Sequence, residues 1–403
     1  MNLKNENVHT PLRGISWDHP RGLDPLTLTV ADYCAKRPLI DPTWEARSLQ
    51  NFGEESITSL AHRYDLMVID HPFVGTGVAE ESLVPLDEYL DPEVIVKLRH
   101  ASVGPSLASY EYAGHLWALP VDAAAQVSVW RPDLLDGLEL KPPHTWLEVF
   151  DFIHELRRHG LVAAMPMIHT DLVPGLYSIA ASHGTPPFRA GGGSFLDRCD
   201  LDQALDMMLA LRDNLDQRSL SLNPPQLLDI MATEDRIAYC PMAFGYSNYS
   251  RLGFRRHTLQ FGDLPSASGN PHGSTLGGAG IAVSAKSPHR EDAVEYATWL
   301  ASAPIQAGRY FENGGQPAHR DAWTSEAVNA SVGGFFTRTL STLDEAFLRP
   351  TWPGYLGFQD AIGPPLYEYM TDRITRADLR GLLDAAWQTA DDTRSRCESA
   401  QPY

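Results

Sequence analysis

Polar and charged side chains follow two predicted strands in the first quarter of the chain, and their types could support chemistry. One strand is predicted at residues 12–17, and a continuous apolar run predicts another at residues 64–70. The groups that follow these strands are Asp18, His19 and Arg21, and Asp70, His71 and Phe73. Parallel strands open their carboxyl ends along one edge of a sheet, so we expect both groups on one rim. Carboxylate and imidazole groups there could act as acid–base catalysts or as hydrogen-bonding partners of a polar solute.

A second set of candidates combines aromatic rings with glycines and amides. Phe244 and Tyr246 flank Gly245 at the end of a strand predicted at residues 236–242, and Asn248 follows them. Two rings on either side of a glycine are hard to bury together, so we predict that they stack on a ligand. Aromatic faces suit the C–H face of a pyranose, and glycine lets backbone amides approach a ligand closely. The remaining candidates are Trp17, Asp122, Gly277, Gly278, Trp352 and Tyr355.

Three enzymatic alternatives are open to these residues. Asp18 with His19, or Asp70 with His71, could form an acid–base pair, but adjacent residues in a strand point to opposite faces. Cys240 could be a nucleophile, although it lies inside an apolar strand where an inert thiol is expected. The histidines could hold a metal with Asp70, but no metal-binding spacing supports this. The sequence therefore favours binding, with no metal and no cofactor, over catalysis.

Alternating helices and strands must position these side chains. Helices are predicted at residues 26–37 and 52–63, and a strand at residues 43–49 lies between them. Together with the two strands above, this order predicts a doubly wound α/β sheet. Residues 18–22 and 71–77 are then predicted as the loops that leave the strand ends.

Three later segments carry local structural signals. Thr145 and Glu148 stand three residues apart at the start of an amphipathic stretch, which predicts a capping box. Ser287 is predicted to cap a helix that has Pro288 at its first position. The triple glycine at residues 191–193 lacks the strand and helix context of a phosphate-binding loop, so we predict a surface loop there.

Composition and charge exclude several classes of partner. The chain has 403 residues, 43% of them hydrophobic, which is enough for two domains with a sizeable core. Its net charge of −19 argues against nucleic acid and against anionic membranes, because both attract basic surfaces. The longest apolar runs are too short to cross a bilayer. Free, mostly buried thiols are expected, with one disulfide as the alternative, at Cys34, Cys199, Cys240 and Cys397.

Four segments, taken in their order and spacing, resemble one protein family. They are 83–90 (LVPLDEYL), 142–148 (PPHTWLE), 234–248 (EDRIAYCPMAFGYSN) and 276–300, which opens with LGGAGIAV. In these segments the chain is similar to family 1 extracellular solute-binding proteins, the maltose-binding-like receptors of ABC importers.

The resemblance implies a two-lobed α/β fold of the periplasmic-binding-protein class, similar to its type II, with a ligand cleft between the lobes and hinge crossings. It implies a first lobe of residues 1–119 and 277–319 and a second lobe of residues 120–276 and 320–403. The candidates above are then expected to line the cleft.

The same resemblance implies a function. We expect a monomeric receptor that closes on a carbohydrate or related polar solute and then docks on the subunits of an ABC permease. Arg21, His19 and His71 together add an acidic solute to the expected range. Residues 1–10 are polar and no apolar export segment follows, so we expect either a periplasmic protein whose leader was removed or a cytoplasmic one. An enzyme or cytosolic sensor on the same scaffold, using cleft His, Asp or Cys side chains, is the alternative.

Overall fold

Strands and helices alternate along the chain in the computed structural model, which describes residues 9–189 and 193–400. The predicted α/β class is confirmed. Residues 1–8, and Gly191 and Gly192 of the predicted surface loop, lie outside the described residues. The strands are β1 (Thr10–Trp17), β2 (Ile40–Arg47), β3 (Leu66–Ile69), β4 (Glu111–Tyr112), β5 (His115–Leu116), β6 (Ala118–Trp130), β7 (Val162–Ala163), β8 (Ile237–Phe244), β9 (Gln260–Gly262) and β10 (Leu276–Val283).

The helices of the described residues range from single turns to a long helix at the C-terminal end. They are α1 (Pro20–Lys36), α2 (Leu49–Glu54), α3 (Ile57–Ala61), α4 (Phe73–Ala79), α5 (Pro92–Ala101), α6 (Pro132–Leu135), α7 (Trp146–Arg158), α8 (His169–Ser182), α9 (Arg198–Asn214), α10 (Pro224–Thr233), α11 (Arg290–Leu300), α12 (Ala303–Ile305), α13 (Arg320–Thr324), α14 (Glu326–Ser331), α15 (Phe335–Asp344), α16 (Tyr355–Met370) and α17 (Arg376–Ala400). Within the described part of the chain, none of them combines the length and the apolar character that a membrane crossing requires.

The first of two compact units contains Met1–Ala123 and Gly278–Ser325. Within it, β1 pairs in parallel with both β2 and β3, and β10 pairs with β3 in the antiparallel sense. All four residues of β3 are buried, as expected for an inner strand that is covered on both faces. The strands predicted at residues 12–17 and 64–70 are therefore confirmed as β1 and β3.

The second unit contains Ala124–Gly277 and Glu326–Tyr403. Here β6 pairs in the antiparallel sense with both β8 and β9, and β8 pairs in parallel with β7. Strand β6 begins in the first unit and ends in the second, whereas β10 runs from the second unit into the first. The boundaries predicted from the sequence follow residues 119, 276 and 319, and the compact units change after residues 123, 277 and 325.

Two segments predicted as loops are largely helical. The loop predicted at residues 18–22 is wrong, because α1 begins at Pro20 with His19 as its N-cap. Proline suits the first helical position, where no backbone N–H is needed. The loop predicted at residues 71–77 is also wrong, because α4 begins at Phe73 directly after a short turn. The connections from β1 to α1 and from β3 to α4 are therefore shorter than predicted.

Of the two predicted helix starts, one is confirmed and one is wrong. The Thr145 hydroxyl accepts from the Glu148 N–H at 3.2 Å, and the Glu148 carboxylate accepts from the Thr145 N–H at 3.0 Å, which completes the capping box. Pro288 does not begin a helix, since α11 begins at Arg290. The Ser287 hydroxyl accepts the His289 N–H at 3.0 Å and donates to Asp65 Oδ1 at 2.6 Å, so it stabilises the turn before the helix.

The first unit depends on a close approach between Tyr110 and the backbone of β10. A Cβ atom added to Gly280 would lie 2.6 Å from the Tyr110 ring, far inside van der Waals contact. The ring is held in place because the Tyr110 hydroxyl donates to the Ile69 carbonyl at 3.3 Å and the side chain is 2% exposed. Glycine is therefore required at this position of the strand.

We expect Gly280→Ala to lower the free energy of unfolding by about 1–3 kcal/mol, because the added methyl overpacks a buried aromatic site. Urea denaturation monitored by circular dichroism measures the change. Gly357→Ala is the matched control, since a Cβ in this turn of α16 meets no atom of the described residues within 4 Å. The control gains helix propensity and should keep or raise stability. Equal losses in both variants would contradict this explanation.

Candidate functional site

A buried ion pair joins the start of α1 to β6 in the first unit. The N-cap His19 accepts the Arg21 N–H at its Nδ1 atom, at 3.0 Å, and this places Arg21 in the first turn. Arg21 Nε donates to Asp122 Oδ2 at 2.7 Å, and Arg21 Nη2 donates to Oδ1 at 2.5 Å. The two side chains are 4% and 1% exposed. This bidentate geometry is the strongest that arginine and carboxylate can form.

The ion pair determines which charged groups of the first unit are available to a solute. Burial raises the pKa of the Asp122 carboxyl, and the adjacent Arg21 guanidinium opposes that rise. The Asp122 carboxylate compensates the charge of the Arg21 guanidinium, which water cannot solvate at this buried position. An acidic solute that took over the Nε and Nη2 donors of Arg21 would leave the buried Asp122 carboxylate unpaired.

Trp17 and Asp18 have different surroundings. The Trp17 ring is 5% exposed and packs 5.1 Å from the Phe52 ring, centroid to centroid. A Cβ added to Gly22 would lie 2.3 Å from the same ring, so Trp17 covers the first turn of α1. Asp18 has an exposed side chain, and its backbone N–H donates to the Arg47 carbonyl at 2.7 Å. Of the two, only Asp18 presents a polar side chain to solvent.

The turn after β3 orients one carboxylate. Asp70 Oδ1 accepts the His71 backbone N–H at 2.9 Å and lies 3.2 Å from His71 Nδ1. The His71 side chain is 1% exposed and meets the Tyr110 ring edge-to-face at 6.4 Å, whereas the Asp70 side chain is 21% exposed. Phe73 begins α4 and is buried. Asp70 is therefore the accessible polar group of this turn, and His71 fixes its orientation.

In the second unit, Phe244 lies against the backbone of Gly277. Phe244 ends β8, pairs with Gln126 of β6, and is half-buried. A Cβ added to Gly277 would lie 2.7 Å from the Phe244 ring, so any larger residue would displace the ring. The neighbouring Gly278 has φ +96°, a left-handed conformation that favours glycine. Gly277 thus allows the Phe244 ring to pack against the backbone.

Tyr246 directly precedes the 3-10 turn Ser247–Ser250, Asn248 lies within it, and both are buried. The Tyr246 ring meets the Tyr249 ring edge-to-face at 6.4 Å. Asn248 is 2% exposed, and no donor among the described residues reaches its Oδ1 atom. An amide oxygen left without a hydrogen bond in a buried position is costly, and a ligand hydroxyl would satisfy it.

Trp352 and Tyr355 belong to one cluster in the second unit that also contains Arg349 and Gln359. Gln359 Oε1 accepts from the Tyr355 hydroxyl at 3.2 Å and from Arg349 Nη1 at 3.3 Å. Arg349 Nη2 donates to the Leu276 carbonyl at 3.3 Å, beside Gly277. The Trp352 and Tyr355 rings lie 5.7 Å apart, and Tyr355 is fully buried, so Trp352 is the more accessible ring.

Asp171 is a candidate that the sequence patterns did not single out. It lies in the first turn of α8, is partly buried, and has no hydrogen-bond partner for its carboxyl group among the described residues. Burial alone raises its pKa from 3.8 to about 7. A desolvated carboxyl without a cation is typical of a functional position. The sequence signal that could have identified Asp171 was weak: an acidic residue near the start of a predicted helix that follows a short strand.

The catalytic and metal-binding alternatives find little support in the geometry. Cys240 is fully buried in β8, and burial raises the pKa of its thiol to about 12, so the reactive thiolate is not populated near neutral pH. Among residues 9–189 and 193–400, no group of three or more His, Cys, Asp or Glu side chains could hold a metal ion. The four cysteines are free thiols, but the expectation that they are mostly buried is wrong, because only Cys240 is buried.

Comparison with known proteins gives one family match and many structural matches. A family model described as bacterial extracellular solute-binding protein matches residues 60–307. A solute-binding protein of an ABC transporter from Agrobacterium radiobacter K84, in complex with ribitol, aligns with a TM-score of 0.80 at 18% identity, over 96% of this chain and 99% of the other. Maltose-bound MalE3 of T. maritima aligns with a TM-score of 0.79 at 16% identity, over 94% and 99%.

A third structure, the D-mannitol complex of a solute-binding protein from Agrobacterium vitis S4, aligns with a TM-score of 0.74 at 16% identity, over 98% and 100% of the two chains. At such low identity these matches establish the fold. They confirm the two-lobed periplasmic-binding-protein fold that the sequence resemblance implied.

We expect Asp122→Ala to destabilise the protein by about 3–5 kcal/mol, because it leaves the Arg21 guanidinium buried without its carboxylate. The double variant Arg21→Met/Asp122→Leu removes both charges and should recover most of that loss. Chemical denaturation of the two variants and the parent measures the difference. If Asp122→Ala is as stable as the parent, the ion pair contributes little to the stability of the protein.

Asp171 should make stability depend on pH. Its pKa rises from 3.8 to about 7 on folding, so the folded state holds the proton more tightly and stability falls as pH rises through this window. We expect the decrease between pH 5 and pH 8 to be smaller by roughly 2 kcal/mol in Asp171→Asn. Asp384→Asn, at a side chain that is 64% exposed, is the control and should keep the parent's pH profile. Parallel profiles for all three proteins would contradict this assignment.

Proposed function

Because the chain belongs to the family of bacterial extracellular solute-binding proteins, we propose that it is the solute receptor of an ABC importer and that its solute is a neutral carbohydrate or polyol. The family match, which covers more than half of the chain, carries the receptor assignment. The structural relatives with bound ribitol, maltose and D-mannitol support the solute class. The same family membership supports a periplasmic location.

The charges of the candidate residues favour a neutral solute over an acidic one. The expectation of an acidic solute relied on Arg21, His19 and His71 together. Asp122 compensates the charge of Arg21 through contacts at 2.5 and 2.7 Å. His19 and His71 are engaged by neighbouring groups, as helix cap and as partner of Asp70. The accessible polar candidates of the first unit are the Asp18 and Asp70 carboxylates, and these acceptors suit hydroxyl donors.

The second unit supplies groups that suit a sugar ring. Phe244 and Trp352 offer partly accessible rings, and such faces pack on the C–H face of a pyranose. Asn248 Oδ1 is a buried acceptor and the Asp171 carboxyl a partly buried one, and a hydroxyl could satisfy either. Ring faces together with a few oriented acceptors form the usual composition of a small-molecule site.

The interlobe cleft and hinge closure implied by the family resemblance are part of this proposal. Ligand that interacts more strongly with the closed form would shift the population toward it, and the closed form would engage the permease. The receptor would bind its solute without altering it, as a monomer. An enzyme or sensor that uses the histidines or Cys240 is the alternative.

Isothermal titration calorimetry with ribitol, D-mannitol, maltose, glucose and glucuronate tests the proposal. We expect at least one neutral solute to bind with a Kd of about 10 µM or tighter, and glucuronate to bind at least tenfold more weakly than glucose. Chromatography of the recovered solute should show no new product. Selective binding of glucuronate would contradict the proposed solute class, and product formation would favour the enzyme alternative.

We expect Phe244→Ala to weaken binding of the best solute about tenfold or more, because it removes a stacking face. Tyr367→Ala is the matched control, since Tyr367 is a half-buried ring on α16 in the same unit. Both variants should unfold cooperatively in a thermal melt. If Phe244→Ala binds as tightly as the control, the ring is structural and plays no part in recognition.

A further inference from the structure

A buried hydrogen-bond network in the second unit joins α8 to β6 and to the segment that leads into β10. The Ser178 hydroxyl donates to Gln126 Oε1 at 2.5 Å and accepts the Thr275 N–H at 2.8 Å. The Thr275 hydroxyl donates to the Pro174 carbonyl at 2.9 Å, and the Ser274 hydroxyl donates to the Gln126 carbonyl at 2.6 Å. The hydroxyl and amide side chains of the network are at most 3% exposed. A lost partner here would not be replaced by water, so the network fixes the elements that it joins.

The network lies beside three candidate solute-binding residues and contains none of them. Asp171 lies on α8, one turn before the proline of the network. Phe244 is the residue of β8 that pairs with Gln126. Gly277, against which the Phe244 ring packs, follows two residues after Thr275. Each element that the network joins therefore carries or contacts a candidate residue.

Residues 273–277 run antiparallel to α8. A Cβ atom added to Gly273 would lie 2.5 Å from the Ala181 backbone, near the end of the helix. Two residues later, Thr275 contacts the middle of the helix through its N–H and its hydroxyl. Two further residues of extended chain advance about 6.6 Å, as far as about four residues of helix. Gly277 is thereby brought level with the first turn of α8.

The first turn of α8 carries Asp171 and is attached to the rest of the helix less firmly than an ordinary turn. Pro174 has no N–H, so the Thr170 carbonyl receives no hydrogen bond from the residue four positions further along. The Thr275 hydroxyl donates to the Pro174 carbonyl just after this gap in the helix. The network therefore determines where the Asp171 carboxyl lies relative to the Phe244 ring.

We propose that Thr275 and Ser178 are positioning residues for solute recognition in the second unit. Their hydroxyls hold α8 so that Asp171 and Phe244 contact the same solute ring, the carboxyl at a hydroxyl of the solute and the aromatic ring at its C–H face. Neither positioning hydroxyl touches the solute, because both are fully buried and engaged within the network. This inference rests on the proposed function.

Calorimetry of Thr275→Val with the neutral solute that binds best tests the proposal. Valine keeps the shape of threonine but cannot donate to the Pro174 carbonyl. We expect the Kd to rise about fivefold to tenfold, because the first turn of α8 loses this attachment. Thr275→Ser retains the hydroxyl, and its Kd should stay within about twofold of the parent value.

Thr29→Val is the matched control. Thr29 is also fully buried, and its hydroxyl donates to the Pro25 carbonyl within α1 at 2.7 Å. Chemical denaturation should show a loss of stability similar to that of Thr275→Val, whereas the Kd of the control should stay within about twofold of the parent value. An equal rise in Kd in both variants would overturn the proposal, since general destabilisation would then explain it.

A double-mutant cycle with Asp171→Ala determines whether Thr275 acts through Asp171. We expect Asp171→Ala alone to raise the Kd about tenfold, and Thr275→Val to change it by less than about twofold in that background. Additive effects of the two substitutions would contradict the positioning role.

The proposed function can fail separately from the positioning role. If Asp171→Ala binds the solute as tightly as the parent, the positioning proposal is overturned and the receptor assignment stands. A parent protein that binds no neutral solute in calorimetry would overturn both proposals.

Discussion

The buried pair of Arg21 and Asp122 is the interaction on which the first unit's binding properties depend. Removing two charges from water is expensive, and only good geometry and full hydrogen bonding compensate for the loss of solvation. Here the bidentate contacts at 2.5 and 2.7 Å meet that condition. The pair therefore holds the start of α1 against β6 and leaves no net charge from these two groups.

Several other contacts converge on the same stretch of β6. Asp122 forms a bridge with Pro317, and the Ala123 N–H donates to the Gln316 carbonyl at 3.1 Å. The Gln316 side-chain amide donates back to the Ala123 carbonyl at 2.8 Å. Strand β6 is therefore anchored to the first unit just before the chain passes into the second unit. This is where the family resemblance places a hinge, and a hinge needs one firmly held end.

Short sequence patterns were enough to predict the elements that are determined by interactions between neighbouring residues. The apolar run at residues 64–70 predicts an inner strand because buried parallel strands need no polar face. Thr145 and Glu148 predict a capping box because the two hydrogen bonds close within one helical turn. The burial of Cys240 follows equally well from the apolar strand around it.

The sequence could not predict the ion pair, because Arg21 and Asp122 are 101 residues apart and come together only when the sheet forms. The helix start at Pro20 was missed because the pattern 18–22 contains loop-forming residues, and only the His19 cap shows that the proline opens a helix. Asp171 was missed for a similar reason, since its desolvation depends on packing around α8. The chemistry of these residues is therefore determined by contacts between segments that lie far apart in the sequence.

A binding function follows more readily from this chemistry than a catalytic one. Asp171, with a pKa of about 7, is a candidate whose proton can move near neutral pH. An acid–base pair needs a second such group, yet His19 serves as a helix cap and His71 orients Asp70. The remaining accessible groups are acceptors and ring faces, which recognise hydroxyls and C–H surfaces without transferring protons. Family membership and the residue chemistry therefore agree on a receptor.

A crystal structure of the protein with its best-bound neutral sugar or polyol would test the central claim most directly. We expect Arg21 to remain paired with Asp122 and the solute hydroxyls to be held by acceptors such as Asp70 and Asn248, with Phe244 against the solute's C–H face. Density that shows Arg21 turned away from Asp122 and bound to an acidic group of the solute would contradict it.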